Sequence, residues 1–127
     1  MTSPHTPGRL PAGTATDASG PAADFESLAY QPLDEAKVID GTPSTRYLAL
    51  DTTGEREVGV WEHTVGVSRD VEADEVFVVL AGDATLEFIE PALPAIELRP
   101  GVIVRLEDGM STVWTIRDTL RKVLVAP

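Results

Sequence analysis

The 127-residue chain contains no cysteine, which excludes disulfides, thiolate metal sites and a thiol nucleophile together. Histidine is nearly as scarce: His5 and His63 are the only two. Acidic residues outnumber basic ones by 21 to 10, giving a net charge of −11. A polyanionic backbone or an anionic membrane surface would be repelled, so neither nucleic acid nor a membrane is expected as a partner. No apolar run approaches the roughly 18 residues of a membrane span. The first residues carry no apolar segment behind a basic end and no twin-arginine pair. No secretory signal is therefore expected, and the cytoplasm is the expected compartment. A Gly-x-Ser-x-Gly elbow, a His-Glu-x-x-His helix, a Walker loop and a dinucleotide fingerprint are all missing, which leaves covalent catalysis and nucleotide binding without support.

With 43% apolar and 24% charged residues, the chain has the composition of one globular domain with a single core. Three segments are expected. Residues 1–24 are dominated by Pro, Gly, Ala, Ser and Thr without apolar periodicity, which predicts a disordered leader; His5 falls in it. Residues 25–43 bring apolar side chains (Phe25, Leu28, Tyr30, Leu33, Val38, Ile39) interrupted by Pro32, which predicts an arm packed on the domain rather than a regular helix. Residues 44–127 form the domain itself.

From Ser44 onward, short β-branched and aromatic runs recur between turn residues, the pattern of an all-β sandwich or barrel. Strands are expected over 44–51, 56–63, 75–80, 84–89, 96–98, 102–106, 112–116 and 120–125. Breaks are expected at Thr53–Gly54, Ala81–Gly82–Asp83, Pro91 to Pro94, Pro100–Gly101, Asp108–Gly109 and Asp118–Thr119. The run Asp70 to Glu75 holds four acids and reads first as a solvated loop. In 75–80, alternation places Glu75, Phe77 and Val79 on one face and Val76, Val78 and Leu80 on the other. Both faces are largely apolar, so the outer one calls for a cover: a second sheet, the arm, or a second copy of the chain. A homodimer is expected on that ground.

Ordered landmarks run through the second half: Gly59-x-Trp61-Glu62-x-Thr64-x-Gly66, then Asp74-Glu75-Val76-Phe77 with Gly82 seven residues after Glu75, then Pro100-Gly101, Gly109, Thr112-x-Trp114 and Arg121-Lys122-Val123. In these the chain resembles the small single-domain cupins of the subfamily that includes (S)-ureidoglycine aminohydrolase. The resemblance implies a cupin-type jelly-roll β-barrel, in agreement with the strand pattern. It also implies a metal held by two histidines ahead of a conserved glutamate and by a third in a second motif. Glu75 matches the glutamate. The upstream stretch reads Ser68-Arg69-Asp70-Val71-Glu72, Glu107 stands where proline is usual, and Thr112 takes the third histidine's place. No metal and no other cofactor is therefore expected. An oxygen-ligand site of Glu75, Asp70 and Asp74 is the remaining metal alternative.

A cupin's ligand cavity lies inside the barrel, so site candidates are polar or aromatic residues on inward faces. Glu75 and His63 are the candidate acid–base groups, and Trp61, Phe77, Thr112, Trp114 and Lys122 the candidate substrate contacts. Each has a plainer alternative. The two tryptophans suit a core. Glu75 needs either a solvated strand end or a cation such as Arg69 or Arg105. His63 before the Thr64-x-Gly66 turn suits a loop edge, and Lys122 a solvated strand edge. The expected function is binding or conversion of a small polar metabolite without a metal; the alternative is a non-catalytic ligand-binding or dimerisation module.

Overall fold

Alternating apolar positions from Ser44 to Ala126 do form strands, and two of them are far longer than the turn residues suggest. The computed structural model describes residues 8–20 and 23–127. After a four-residue helix α1 (Ala23–Glu26) come two short strands, β1 (Gln31–Pro32) and β2 (Val38–Asp40), separated by a 3-10 turn at Glu35–Lys37. The main strands follow: β3 (Ser44–Asp51), β4 (Glu57–His63), β5 (Gly66–Val71), β6 (Glu75–Glu90), β7 (Leu93–Leu98), β8 (Ile103–Leu106) and β9 (Ser111–Ala126). No helix is long and apolar enough to cross a membrane among the described residues.

β6 and β9 are the spine. They pair antiparallel along nearly their whole lengths, from Val76 opposite Val125 to Glu90 opposite Ser111. β9 holds β5 against its first half and β4 against its second, while β6 carries β8 and then β7. A sheet wrapped this way around two shared strands curls into the all-β jelly-roll of a cupin.

The breaks expected at Ala81–Gly82–Asp83 and Asp118–Thr119 are bends within these strands. The two sites face each other, with Ala81 opposite Arg121 and Asp83 opposite Asp118, and the register shifts between them. Bulges of this kind let a strand turn a corner without ending. Gly82 takes φ +105°, and a Cβ there would collide with the backbone of Thr119 and Leu120. Its role is close backbone approach rather than a hairpin tip.

β5 is absent from the sequence-based strand set. Its inward positions are polar, Ser68 and Asp70, so no apolar alternation marks it. The core inside the curl is formed by Phe77, Leu86, Leu98, Leu106, Trp114 and Ile116 with their neighbours.

The first part of the arm lies on the outer face of β3, β4 and β9, while its strands β1 and β2 extend the sheet by pairing with β3 and β5. Phe25 is 1% exposed and packs with Leu50 and Val60. Beneath it Glu62 is buried between two buried arginines: Arg46 Nε donates to Oε1 at 2.9 Å and Arg121 Nε to Oε2 at 2.7 Å. Tyr30 adds its hydroxyl to Oε1 at 2.5 Å. The guanidinium groups lie 4.5 and 4.9 Å from the Phe25 ring centroid. Burial pushes the Glu62 carboxyl up, but the bonds from Tyr30, Arg121 and Arg46 outweigh it and leave the group below its ordinary value. Within the segment expected to be a leader, residues 8–20 follow an irregular path against the barrel: Leu10 N donates to Asp51 at 2.9 Å and the carbonyls of Ala18 and Gly20 accept from Arg121. His5 lies outside the described residues.

Candidate functional site

Strand parity assembles the site. On β4, Val60 and Glu62 face the arm, which turns Trp61 and His63 inward; on β9, Arg121 faces out and Lys122 in. Ser68 and Asp70 from β5, Glu72 from the turn after it and Glu75 from β6 complete one end of the curl. There Trp61, His63, Ser68, Glu72, Glu75, Trp114 and Lys122 line a cavity of about 250 Å³.

Lys122 is 4% exposed. Its ammonium donates to Oε2 of Glu75 at 2.7 Å and lies 4.5, 4.4 and 4.8 Å from the ring centroids of Trp61, Phe77 and Trp114. Desolvated contacts of this type are each worth about 1–2 kcal/mol and hold a cation that has left water. The partner of Glu75 is thus neither Arg69 nor Arg105; the latter pairs with Glu107 at 3.0 Å. Lys122 is an inward residue and no strand edge.

His63 is 2% exposed, so the loop-edge alternative does not hold. Its Nδ1 lies 2.6 Å from the carbonyl oxygen of Thr64. A carbonyl only accepts, so Nδ1 carries the hydrogen and Nε2 accepts the Ser68 hydroxyl at 2.9 Å. Burial is the main cause lowering the imidazole from its ordinary value; the Thr64 carbonyl opposes it and the positive charge of Lys122 adds to it. Burial thus favours the neutral ring, whose hydrogen sits on Nδ1.

Glu72 is the residue that sequence reasoning placed in a solvated acidic run and that the structure buries, at 7% exposure. Thr112 Oγ1 donates to its Oε2 at 2.5 Å and Trp114 Nε1 donates to the same atom at 3.0 Å. Burial raises this carboxyl above its ordinary value despite those two bonds; Asp70 adds to the rise and Lys122 opposes it. One signal pointed here: a buried tryptophan needs an acceptor for its indole N–H. Thr112 and Phe77, read as substrate contacts, do not line the cavity. Thr112 orients Glu72, and Phe77 forms the far wall of the Lys122 box.

The residues do not fit an imidazole-held metal. No three His, Asp or Glu side chains are grouped to hold an ion among the described residues. The oxygen-ligand alternative is dispersed as well: Asp70 pairs with Lys37 at 3.1 Å, Asp74 accepts the backbone N–H of Asp108 at 2.9 Å, and Glu75 is engaged by Lys122.

A curled antiparallel barrel with its polar cavity between β4, β5, β6 and β9 is a cupin. The chain matches the EutQ-like cupin domain over residues 50–123, more than half its length, and belongs to that family. Solved structures agree on the fold. A protein of unknown function from Pseudomonas syringae pv. tomato superposes with a TM-score of 0.63 at 20% identity, over 80% of this chain and 45% of that one. The chain therefore spans less than half of that relative's length. The EutQ protein of Clostridium difficile gives 0.59 at 14% identity over 83% of this chain and 84% of its own. A protein of unknown function from Acidithiobacillus ferrooxidans gives 0.55 at 20% identity, over 83% and 98%. No curated protein matches.

Proposed function

We propose that the cavity binds a small polar metabolite, and acts on it or recognises it without a metal, with Glu75 as the acid–base group and Trp61 and Trp114 as walls. The observation that carries this reading is the Glu75–Lys122 pair at 2.7 Å lining the cavity. A buried ion pair contributes little net stability compared with apolar packing. One at the edge of a cavity, in an aromatic box, supports a role toward a ligand. Resemblance to the (S)-ureidoglycine aminohydrolase subfamily suggests a ureido or carboxylate compound. The metal-dependent reaction of that subfamily is not carried over, because the residues do not fit its metal.

A thermal-shift screen of small metabolites on the full chain tests the reading. A ligand present at about 100 times its Kd adds about 2.7 kcal/mol to the folded state. At least one stabilising compound is expected, with the shift lost in Glu75→Gln. A broad panel without any hit would leave a structural module.

That second reading has its own observation. Val76, Ile103 and Val125 are 42%, 69% and 43% exposed on the outer face, with Val76 opposite Val125 and Ile103 opposite Val78. This is the face expected to need a cover, and a homodimer through it accounts for the exposure. Light scattering at micromolar concentration should give twice the chain mass, and Ile103→Lys should return it to one.

A further inference from the structure

Two polar side chains of the cavity are joined to each other rather than to a charge. Ser68 and His63 are 4% and 2% exposed, and both line the cavity. The Ser68 hydroxyl donates to Nε2 of His63 at 2.9 Å, and Nδ1 donates to the Thr64 carbonyl at 2.6 Å. A hydroxyl on a neutral imidazole whose other nitrogen is held by a third group is the arrangement that turns a serine into a nucleophile. No motif marks the pair in the sequence, because Ser68 stands within β5 and not on a strand-to-helix elbow. The connection from β4 to β5 brings the two together: Gly66 passes so close to Pro43 that a Cβ would lie 2.8 Å from the proline ring.

The base is held from several sides. Thr64, whose carbonyl takes the Nδ1 hydrogen, is itself tied to Ser44: its N–H donates to the Ser44 carbonyl and its hydroxyl oxygen accepts the Ser44 N–H, both at 2.9 Å. Trp61 meets the imidazole edge-on with ring centroids 5.5 Å apart. Burial and the positive charge of Lys122 lower the ring's affinity for a second proton, which leaves Nε2 an acceptor near neutral pH. In a closed core this bond would do no more than satisfy a buried hydroxyl. Here the two groups border a cavity of about 250 Å³ that Lys122 also lines.

Resting on the small-ligand reading above, we propose that Ser68 is the nucleophile and His63 the general base of an acyl transfer from a small carboxylic ester to water. Ser68 Oγ bonds to the ester's carbonyl carbon while its proton passes to Nε2. The carbonyl oxygen takes the electron pair, and the Lys122 ammonium, kept in place by Glu75 at 2.7 Å, is the buried positive charge that stabilises it. The tetrahedral species then collapses: the bond to the alkoxy oxygen breaks and Nε2 returns the proton to that oxygen. Water attacks the acyl carbon next, giving its proton to Nε2, and Ser68 Oγ leaves with that proton as the free acid departs. An ester suits the pair better than an amide. Nδ1 rests on a carbonyl and not on a carboxylate, so the imidazolium is weakly supported and the leaving group must be a good one. The cavity volume keeps both halves of the ester small.

The test is labelling of the full chain with methanesulfonyl fluoride, read by intact and peptide mass spectrometry, beside hydrolysis of phenyl acetate. A single sulfonyl group is expected, on Ser68, and ester hydrolysis should be lost in Ser68→Ala. In His63→Gln labelling should slow at least about hundredfold, the usual share of a general base. Ser68→Cys supplies the chain's only thiol; beside His63 it should react with iodoacetamide at about pH 7 at least about tenfold faster than free cysteine. That measurement keeps His63 in place and stands even where His63→Gln does not fold. No label on Ser68, labelling as fast in His63→Gln, ester hydrolysis unchanged in Ser68→Ala, or a thiol no faster than free cysteine would each overturn the proposal. Where the metabolite screen returns a stabilising compound, the small-ligand reading outlives such a failure. An empty screen together with no label overturns both.

Discussion

The Lys122 ammonium and the Glu75 carboxylate lie 2.7 Å apart inside the barrel, with three aromatic rings around the ammonium. The carboxylate that matches the metal-binding glutamate of other cupins is thereby engaged by a cation belonging to the protein itself.

Removing that cation should be costly. Lys122→Met leaves Glu75 without a partner and should destabilise the fold by about 3 kcal/mol. Adding Glu75→Gln should recover part of the loss. Urea unfolding of the two single variants and the double variant reads the coupling; additivity of the two substitutions would show that the pair does not interact.

The same pair bears on metal content. Purified protein incubated with Mn, Fe, Ni and Zn and then desalted should retain none of them stoichiometrically by inductively coupled plasma mass spectrometry. Lys122→Ala, which frees Glu75, should still retain none, because Ser68 and Thr112 supply no imidazole.

Outside the barrel, Glu62→Gln should destabilise by about 1.5–3 kcal/mol, because Arg46 and Arg121 lose the buried carboxylate between them and keep only the half-exposed Glu26 as a shared partner. The arm should loosen at the same time. Limited proteolysis within residues 25–43 measures this, and unchanged cleavage would mean that the arm is held by Phe25 packing alone.

His63 gives a pH dependence of defined sign. Its folded-state value is lowered from 6.5, so below pH 6.5 the unfolded chain takes up a proton that the folded chain refuses. Stability should therefore fall as pH drops below 6.5, by at most about 1.4 kcal/mol per pH unit. Glu72 acts in the opposite sense: its value is raised from 4.5, so its contribution is lost as pH climbs above 4.5. The denaturant midpoint at about pH 7.5 minus that at about pH 5 should be smaller, or more negative, in His63→Gln than in the parent chain, because the opposing contribution of Glu72 is then left alone.

Much of the barrel was legible because apolar alternation marks an inward face. β3, β4 and β8 follow the pattern to within a residue. Trp61, His63, Glu75, Trp114 and Lys122, which the sequence offers as site candidates beside plainer alternatives, line one cavity. The failures have physical causes. β5 points polar residues inward, so alternation cannot mark it. Gly82 and Asp118 look like turns because the bends of β6 and β9 need the same residue types that turns do. Glu72 was hidden in an acidic run, and its donors Thr112 and Trp114 lie 40 and 42 residues further along the chain. Only tertiary folding brings them together.

The alternation of Arg121 and Lys122 on β9 has a consequence for how the chain finds its register. Each residue meets a carboxylate on its own side of the sheet, buried Glu62 outside and partly buried Glu75 inside. A slip of β9 by one position would send the guanidinium into the aromatic box and the ammonium under Phe25, breaking both pairs at once. Two opposed charge locks on adjacent residues thus act as a proofreading device for β9, the strand that β4, β5 and β6 all share.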